Sequence, residues 1–422
     1  MWSELQALWD HPDFWKYACI PFISAIVGWG TNVLALQMTF QPIEFVGIGK
    51  LGWQGIIPSR APEMAGKAVD IMTRKLITME ERFEQIDALQ LAEELEPSMY
   101  RLSVAIVDEV VAEQAPLVWD GTPTWVKQQI YVRISEELPD IMEELLEDIK
   151  LNINQLFDLR GMVVEALKSD KALLNEIFLR VGDAEFAFIK RSGFYFGGVF
   201  GIAQMVAVWG ANEWGWWGAS AGEWILPLAG LFVGWATNFL ALKMIFLPIH
   251  AYRFGPWRIQ GLFLKRQMEV SESYAKIVAH RILTAEAIFQ QLLSGPASDR
   301  LMTLIQRHIK RAIDHTAGIS KSWVLLVRGA DEYRHIKDRI SERFLEELPG
   351  AVQLMLDYTS EVMDIEGTLR SRMQVLGPRS FVGFLRPVFQ ADEWKLILVG
   401  AVLGFAAGMA QWVWMFGQGV SG

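Results

Sequence analysis

Two asparagines lie inside apolar runs, where a carboxamide has either a partner or a task. Asn32 stands in "GWGTNVLALQMTFQPIE" (28–44) and Asn238 in "GWATNFLALKMIFLPIH" (234–250), each preceded by a threonine, Thr31 or Thr237. Such an amide can hydrogen-bond across a contact between two helices in lipid. Alternatively, the pair can line a polar pathway or hold an ion or lipid headgroup, since polar groups at membrane depth are a default hint of function. Both readings stay open. Lys243 lies near the end of its run, where its stem can carry the amine out to the interface. The apolar runs hold no internal carboxylate, which a proton- or cation-coupled pump would be expected to carry.

Other chemistry finds little support. His11, His250, His280, His308, His315 and His335 show no metal-ligand spacing of the HExxH kind. There is no phosphate-binding glycine loop with its lysine and no GxSxG elbow. Cys19 is the single cysteine, which excludes a disulfide framework. The clusters "EELEP" and "EELPDIMEELLED" read as solvated helix faces, although carboxylates paired in a cleft can do acid–base work. The expectation is therefore a protein with no catalytic residue, metal or cofactor. A net charge of -10 argues against nucleic acid as a partner.

The elements that must position the asparagines are membrane spans. Four stretches, 17–40, 193–211, 224–246 and 396–416, approach the roughly 20 apolar residues a crossing helix needs. Trp15, Tyr17, Tyr195, Trp209, Trp224, Trp394 and Trp414 flank them as interfacial anchors. Lys and Arg gather beside the two long loops and are missing from the short loop 212–223. By the positive-inside rule both long loops are cytoplasmic and both termini outside.

The sequence also repeats. A shift of 206 residues pairs Gly28 with Gly234, Trp29 with Trp235, Thr31 with Thr237, Asn32 with Asn238, Pro42 with Pro248, Gln54 with Gln260, Gly55 with Gly261 and Arg60 with Arg266. Near the closing spans, "GGVFGIAQMVAVW" (197–209) and "GAVLGFAAGMAQW" (400–412) align at 203. Each copy holds two spans, so both enter the bilayer in the same direction. This predicts an all-α integral membrane protein built as a tandem parallel repeat with pseudo-two-fold symmetry. The copies are 1–212 and 213–422, with two cytoplasmic helical domains at 61–190 and 265–393. Within them "APLVWDGTPTW" (115–125) and "GISKSWVLLVRGAD" (318–331) interrupt the helical pattern, and the second has room for a short strand. Thr78 to Glu81 has the form of a capping box, while Thr284 keeps the cap without the acid.

At this point the motifs resemble a known group. "GWxTNxxAxxMxFxPI", followed by "QGIIPSR" and a Leu-Ile-Thr phrase, is similar to the bacterial membrane family called domain of unknown function 445, of the YheB and YjiN type. In that family the second phrase usually reads Pro-Gly-Leu-Ile-Pro-Lys-Arg. Here Gln54 replaces the leading proline, and Leu264 replaces the second proline in the later copy. The resemblance implies a helical membrane protein and contributes no mechanism.

Spacing assigns further roles. Ser24, Gly28, Thr31, Asn32, Ala35 and Thr39 share one helical face. Gly193, Gly197 and Gly201, and likewise Gly400, Gly404 and Gly408, recur every four residues, the pattern of close helix packing against the asparagine-bearing spans. Pro42 and Pro248 end those spans. The apolar segments that follow are too short to cross and should lie in the cytoplasmic interface, with Trp53, Gln54, Arg60, Trp257, Gln260, Lys265 and Arg266 in contact with lipid. Expected partners are membrane lipids, with protein partners of the helical arms and self-association left open. The leading expectation is a non-enzymatic scaffold or lipid-contacting protein; the alternative is a transporter or channel with a polar route near Asn32 and Asn238.

Overall fold

The computed structural model describes residues 14–49, 51–214, 221–316, 329–353, 355–390 and 393–415. In its first half, helix α1 (Phe14–Phe40) leads to a hairpin of β1 (Val46–Ile48) and β2 (Leu51–Trp53). Then come α2 (Ile56–Ser59), α3 (Ala61–Lys75), α4 (Met79–Glu84), α5 (Ala88–Gln114), α6 (Pro116–Gly121), α7 (Thr124–Leu156), α8 (Leu159–Ser169), α9 (Lys171–Val181) and α10 (Asp183–Trp214). The second half follows a similar order: α11 (Ala221–Phe246), β3 (Tyr252–Phe254), β4 (Trp257–Ile259), α12 (Leu262–Lys265), α13 (Gln267–Arg281), α14 (Ala285–Ser294), α15 (Ser298–Thr316), α16 (Ala330–Gln353), α17 (Leu356–Met363), α18 (Ile365–Val375), α19 (Pro378–Gln390) and α20 (Glu393–Met415).

Four helices are long and apolar enough to cross a membrane: Phe14–Phe40, Asp183–Ala211, Trp224–Phe246 and Glu393–Trp414. The second begins ten residues before its apolar run, because α10 continues without a break through the charged segment ahead of Gly193. The expected short strand near 318–331 and the tip of the short loop fall on 317–328 and 215–220, outside the described residues.

Contacts divide the chain into two compact units, and neither coincides with a half. One comprises the chain up to Ala68, Leu167–Tyr274 and the chain from Met373; the other comprises Val69–Ala166 and Ala275–Arg372. In the first unit α1 packs along α10 and α11 along α20, and the two pairs meet through α10 with α11, α1 with α20 and α1 with α11. Tyr17, Ile20, Val208 and Leu226 close one end of this bundle. Ala35, Ile56 and Leu396 pack near the other, joined by Trp53 and Leu242.

The second unit draws its helices from both halves of the chain. Ile106, Val110 and Ala115, from α5 and its end, share one core with Ile336 and Ile340 of α16; Leu102, Val111, Ile313 and Phe344 pack around it. The physical reason is amphipathicity: each long helix carries an apolar stripe, which is unstable until buried; α5 and α7 pack on one another, and α15 and α16 of the other half cover more of them. Each isoleucine so buried contributes about 1.5–3 kcal/mol. Polar ties follow the same route. Buried His308 of α15 lies with Nε2 2.8 Å from Asp148 of α7, and Arg343 of α16 pairs with Glu109 of α5 at 3.6 Å.

Arg82 is buried in this unit. Its Nη1 donates to Gln85 (2.8 Å), Thr368 Oγ1 (2.7 Å) and the Met363 carbonyl (3.2 Å), tying α4 to α17 and α18. Glu81, expected to reach back and complete a capping box, is instead held by Arg82 and Arg372. Thr78 makes no side-chain cap, whereas Thr284, lacking the acid, does accept from the Ala287 amide at 3.1 Å.

The segments expected to lie in the interface contain the strands. β1 and β2 pair antiparallel in the register Val46–Trp53, Gly47–Gly52 and Ile48–Leu51; β3 and β4 pair as Tyr252–Ile259, Arg253–Arg258 and Phe254–Trp257. Gly49 (φ 61°) and Gly255 (φ 58°) take the left-handed turn positions. Three-residue strands are too short to show alternation, so their sequence reads only as an apolar, glycine-broken run.

Candidate functional site

The asparagines lie within glycine joints between paired helices. Asn32 is 0% exposed and its Nδ2 donates to the Ile189 carbonyl of α10 at 2.6 Å. Asn238, 3% exposed, donates to the Leu396 carbonyl of α20 at 2.8 Å. Thr31 and Thr237 turn their hydroxyls back on their own helices, to the Gly28 and Gly234 carbonyls at 3.1 and 3.4 Å. The amides reach this far because the backbones nearly touch. A Cβ on Gly28 would stand 3.2 Å from both the Gly193 carbonyl carbon and Gly197 Cα, and one on Gly234 would stand 2.7 Å from the Gly400 carbonyl carbon. Gly201 and Gly408 continue the two seams against Pro21 and Pro227. The whole stripe from Ser24 to Thr39 is buried.

These contacts equate Gly193 with Gly400 and Ile189 with Leu396, a shift of 207. The sequence alignment at 203 is one turn out of register, because glycines every four residues make neighbouring turns look alike. Correct register also exposes a difference between the two seams. Ser24 donates to Gln204 Oε1 at 2.8 Å; the matching positions are Gly230 and Gln411, and among the described residues the buried Gln411 Nε2 has no hydrogen-bond partner.

The residues expected to touch lipid are divided in their placement. Gln54 and Gln260 donate to the Ile43 and Ile249 carbonyls, at 2.7 and 3.4 Å, bracing the chain where it folds back after each span. Gly55 and Gly261 complete that fold: their amides donate to the Pro42 and Pro248 carbonyls, and a Cβ on either would strike the backbone of Phe40 or Phe246. Trp53 packs its ring on the Ala35–Leu396 cluster, and among the described residues its buried Nε1 has no hydrogen-bond partner. Arg60 lies beside Glu63, while Lys265 is exposed. The Trp257 side chain lies outside the described residues.

Arg266 is engaged elsewhere. It donates twice to Glu185, at 2.8 and 3.0 Å, and once to Glu269 at 2.7 Å. Burial alone would lower the guanidinium pKa, but the Glu269 and Glu185 carboxylates outweigh it and raise it. Glu185 itself is buried at the base of α10, and a buried carboxylate needs a partner more than a lipid phosphate needs one more arginine. Composition gave no hint of Glu185 or of Arg82. The signal available was departure from the repeat: Arg82 replaces the residue matching Ile288, which is fully buried.

Three curated relatives bear on identity. A UPF0754 membrane protein of Shouchella clausii is 30% identical over 175 residues, 34% of this chain and 46% of its own length. One from Staphylococcus carnosus is 25% identical over 158 residues, 35% and 41% of the two chains. One from Synechococcus sp. (strain JA-3-3Ab) is 42% identical over 91 residues, 21% and 22%. The chain resembles the UPF0754 membrane proteins. It spans less than half the length of these relatives. No family model matches it, and no solved structure does. Relatives named as membrane proteins and four apolar helices agree that this is a multi-pass helical membrane protein.

Proposed function

We propose that the protein is a non-enzymatic scaffold of the bacterial inner membrane that contacts lipid at its cytoplasmic face. In this reading the two halves are tandem parallel repeats related by a pseudo-two-fold axis along the membrane normal. The four spans hold a helical unit in the cytoplasm, with both termini outside. Matched elements support the repeat: β1 and β3, β2 and β4, α3 and α13, and α8 and α18 each lie 206 residues apart. The lysines and arginines beside the long loops support the orientation.

The observation that carries the scaffold reading is the sealing of the asparagines. Both Nδ2 groups are spent on carbonyls across glycine joints, which is what packing requires and a solute route does not. The test compares the wild type with an Asn32→Ala, Asn238→Ala double variant in proteoliposomes. A scaffold shows no cation or proton flux in either protein and a lower melting temperature in the variant. Flux in the wild type that disappears in a variant of unchanged stability would overturn this in favour of transport.

A further inference from the structure

The end of α11 carries a groove whose basic residues have no counterpart at the matching place in the first half. Lys243, Met244, Leu247, Ile249, His250 and Tyr252 line a space of about 450 Å3, apolar over most of its wall. Lys243 stands at the last turn of a helix long and apolar enough to cross a membrane, with Nζ 5.4 Å from the Phe239 ring centroid. Among the described residues neither Lys243 nor His250 takes part in an ion pair. In the first half the corresponding residues are Gln37 and Glu44, and Glu44 is bound to Lys171 at 3.0 Å. The framework of span end, proline and hairpin is therefore common to both halves, while a cation and an imidazole stand in one where an amide and a neutralised carboxylate stand in the other.

We propose that this groove binds one anionic phospholipid, with an acyl chain along Met244, Leu247 and Ile249 and the headgroup phosphate against the Lys243 ammonium and the His250 ring. The inference rests on the lipid-contacting reading above and adds the site and the headgroup class. An apolar wall ending in an unpaired ammonium at a span terminus has both halves of an amphiphile's chemistry. A small soluble anion would leave the apolar wall unused, and a zwitterionic lipid would gain less from the lysine, since its own cation offsets the phosphate.

The test is native mass spectrometry of the full chain in detergent, titrated with phosphatidylglycerol or phosphatidylcholine. Lys243→Gln with His250→Glu installs the residues of the first half. The expected result is preferential retention of phosphatidylglycerol by the wild type, reduced about fivefold in the double variant, the factor a single basic residue is worth at an anionic lipid surface. Lys243→Arg should keep the preference, and Met244→Trp, at an exposed position, should lower retention by filling the groove; these two variants decide the matter if the double variant does not fold. A preference unchanged by both the double variant and Met244→Trp overturns the groove while leaving the lipid-contacting reading intact. A wild type that retains neither lipid overturns both.

Discussion

Each asparagine amide acts on a single carbonyl, and the energy at stake is correspondingly local. A hydrogen bond between helices in lipid is worth about 0.6–2 kcal/mol, so Asn238→Ala should lower unfolding stability by about that amount in a detergent denaturation series. Gly234→Leu should do far more, because the Gly400 backbone has nowhere to move. Sequence alone made the threonines, asparagines and glycines legible as one face, since helical spacing is local. It could not name the carbonyls, which lie 157 and 158 residues away. Nor did it foresee that Arg266 would be held by Glu185, because a basic residue beside a span looks the same whether it meets phosphate or carboxylate. Glu81 gives a pH-dependent counterpart in the other unit. The hydrogen bond from Arg372 holds its carboxyl below the ordinary value of 4.5, against the opposing effect of burial and with help from the charge of Arg82. A depressed carboxylate stabilises the fold above its unfolded value and loses that contribution as pH falls through the lowered one. Melting temperature should therefore drop as pH falls below 4.5, and Arg372→Gln should flatten that slope.

Among the elements, the hairpins depart most from what spacing suggests. Ile48 is 89% exposed and Leu51 84% exposed, facing one another across the first register pair after the turn. A two-stranded hairpin with bare aliphatic residues at its tip is marginal in water and far better placed among acyl chains. An environment-sensitive fluorophore on Ile48→Cys, in a Cys19→Ala background because Cys19 is exposed, should emit as in an apolar medium in nanodiscs. Lipid-borne quenchers should reduce that emission. Emission typical of water would remove the hairpin from the lipid-contacting surface. The spans themselves were readable to within a few residues at most ends, since twenty apolar residues admit few alternatives. The caps were not, because Glu81 answers to tertiary partners before it answers to Thr78.

At the scale of the whole molecule, the arms read as two from the sequence and fold as one unit. A repeated pattern in sequence does not show whether each stretch closes on itself or on the other; the pairing of Ile106 and Val110 with Ile336 and Ile340, the approach of His308 to Asp148 and the hydrogen bond from Arg82 to Thr368 distinguish these. The consequence is testable by cutting the chain in the short loop. Residues 1–214 and 221–422, expressed together as separate chains, should co-purify as a folded complex; either one alone should aggregate or be degraded. An independently folded half with cooperative melting would show that the shared core is dispensable.

That shared core also sets a timetable for synthesis. Ile336 leaves the ribosome about 230 residues after Ile106, which at ordinary elongation rates is a delay of roughly 10–50 s. Once α7 is complete it can pack on α5, but until α16 emerges the stripe that meets Ile336 and Ile340 stays uncovered. The nascent protein thus has a waiting period in which that stripe is bare, and a holding chaperone or a neighbouring nascent copy has time to reach it before its own partner does.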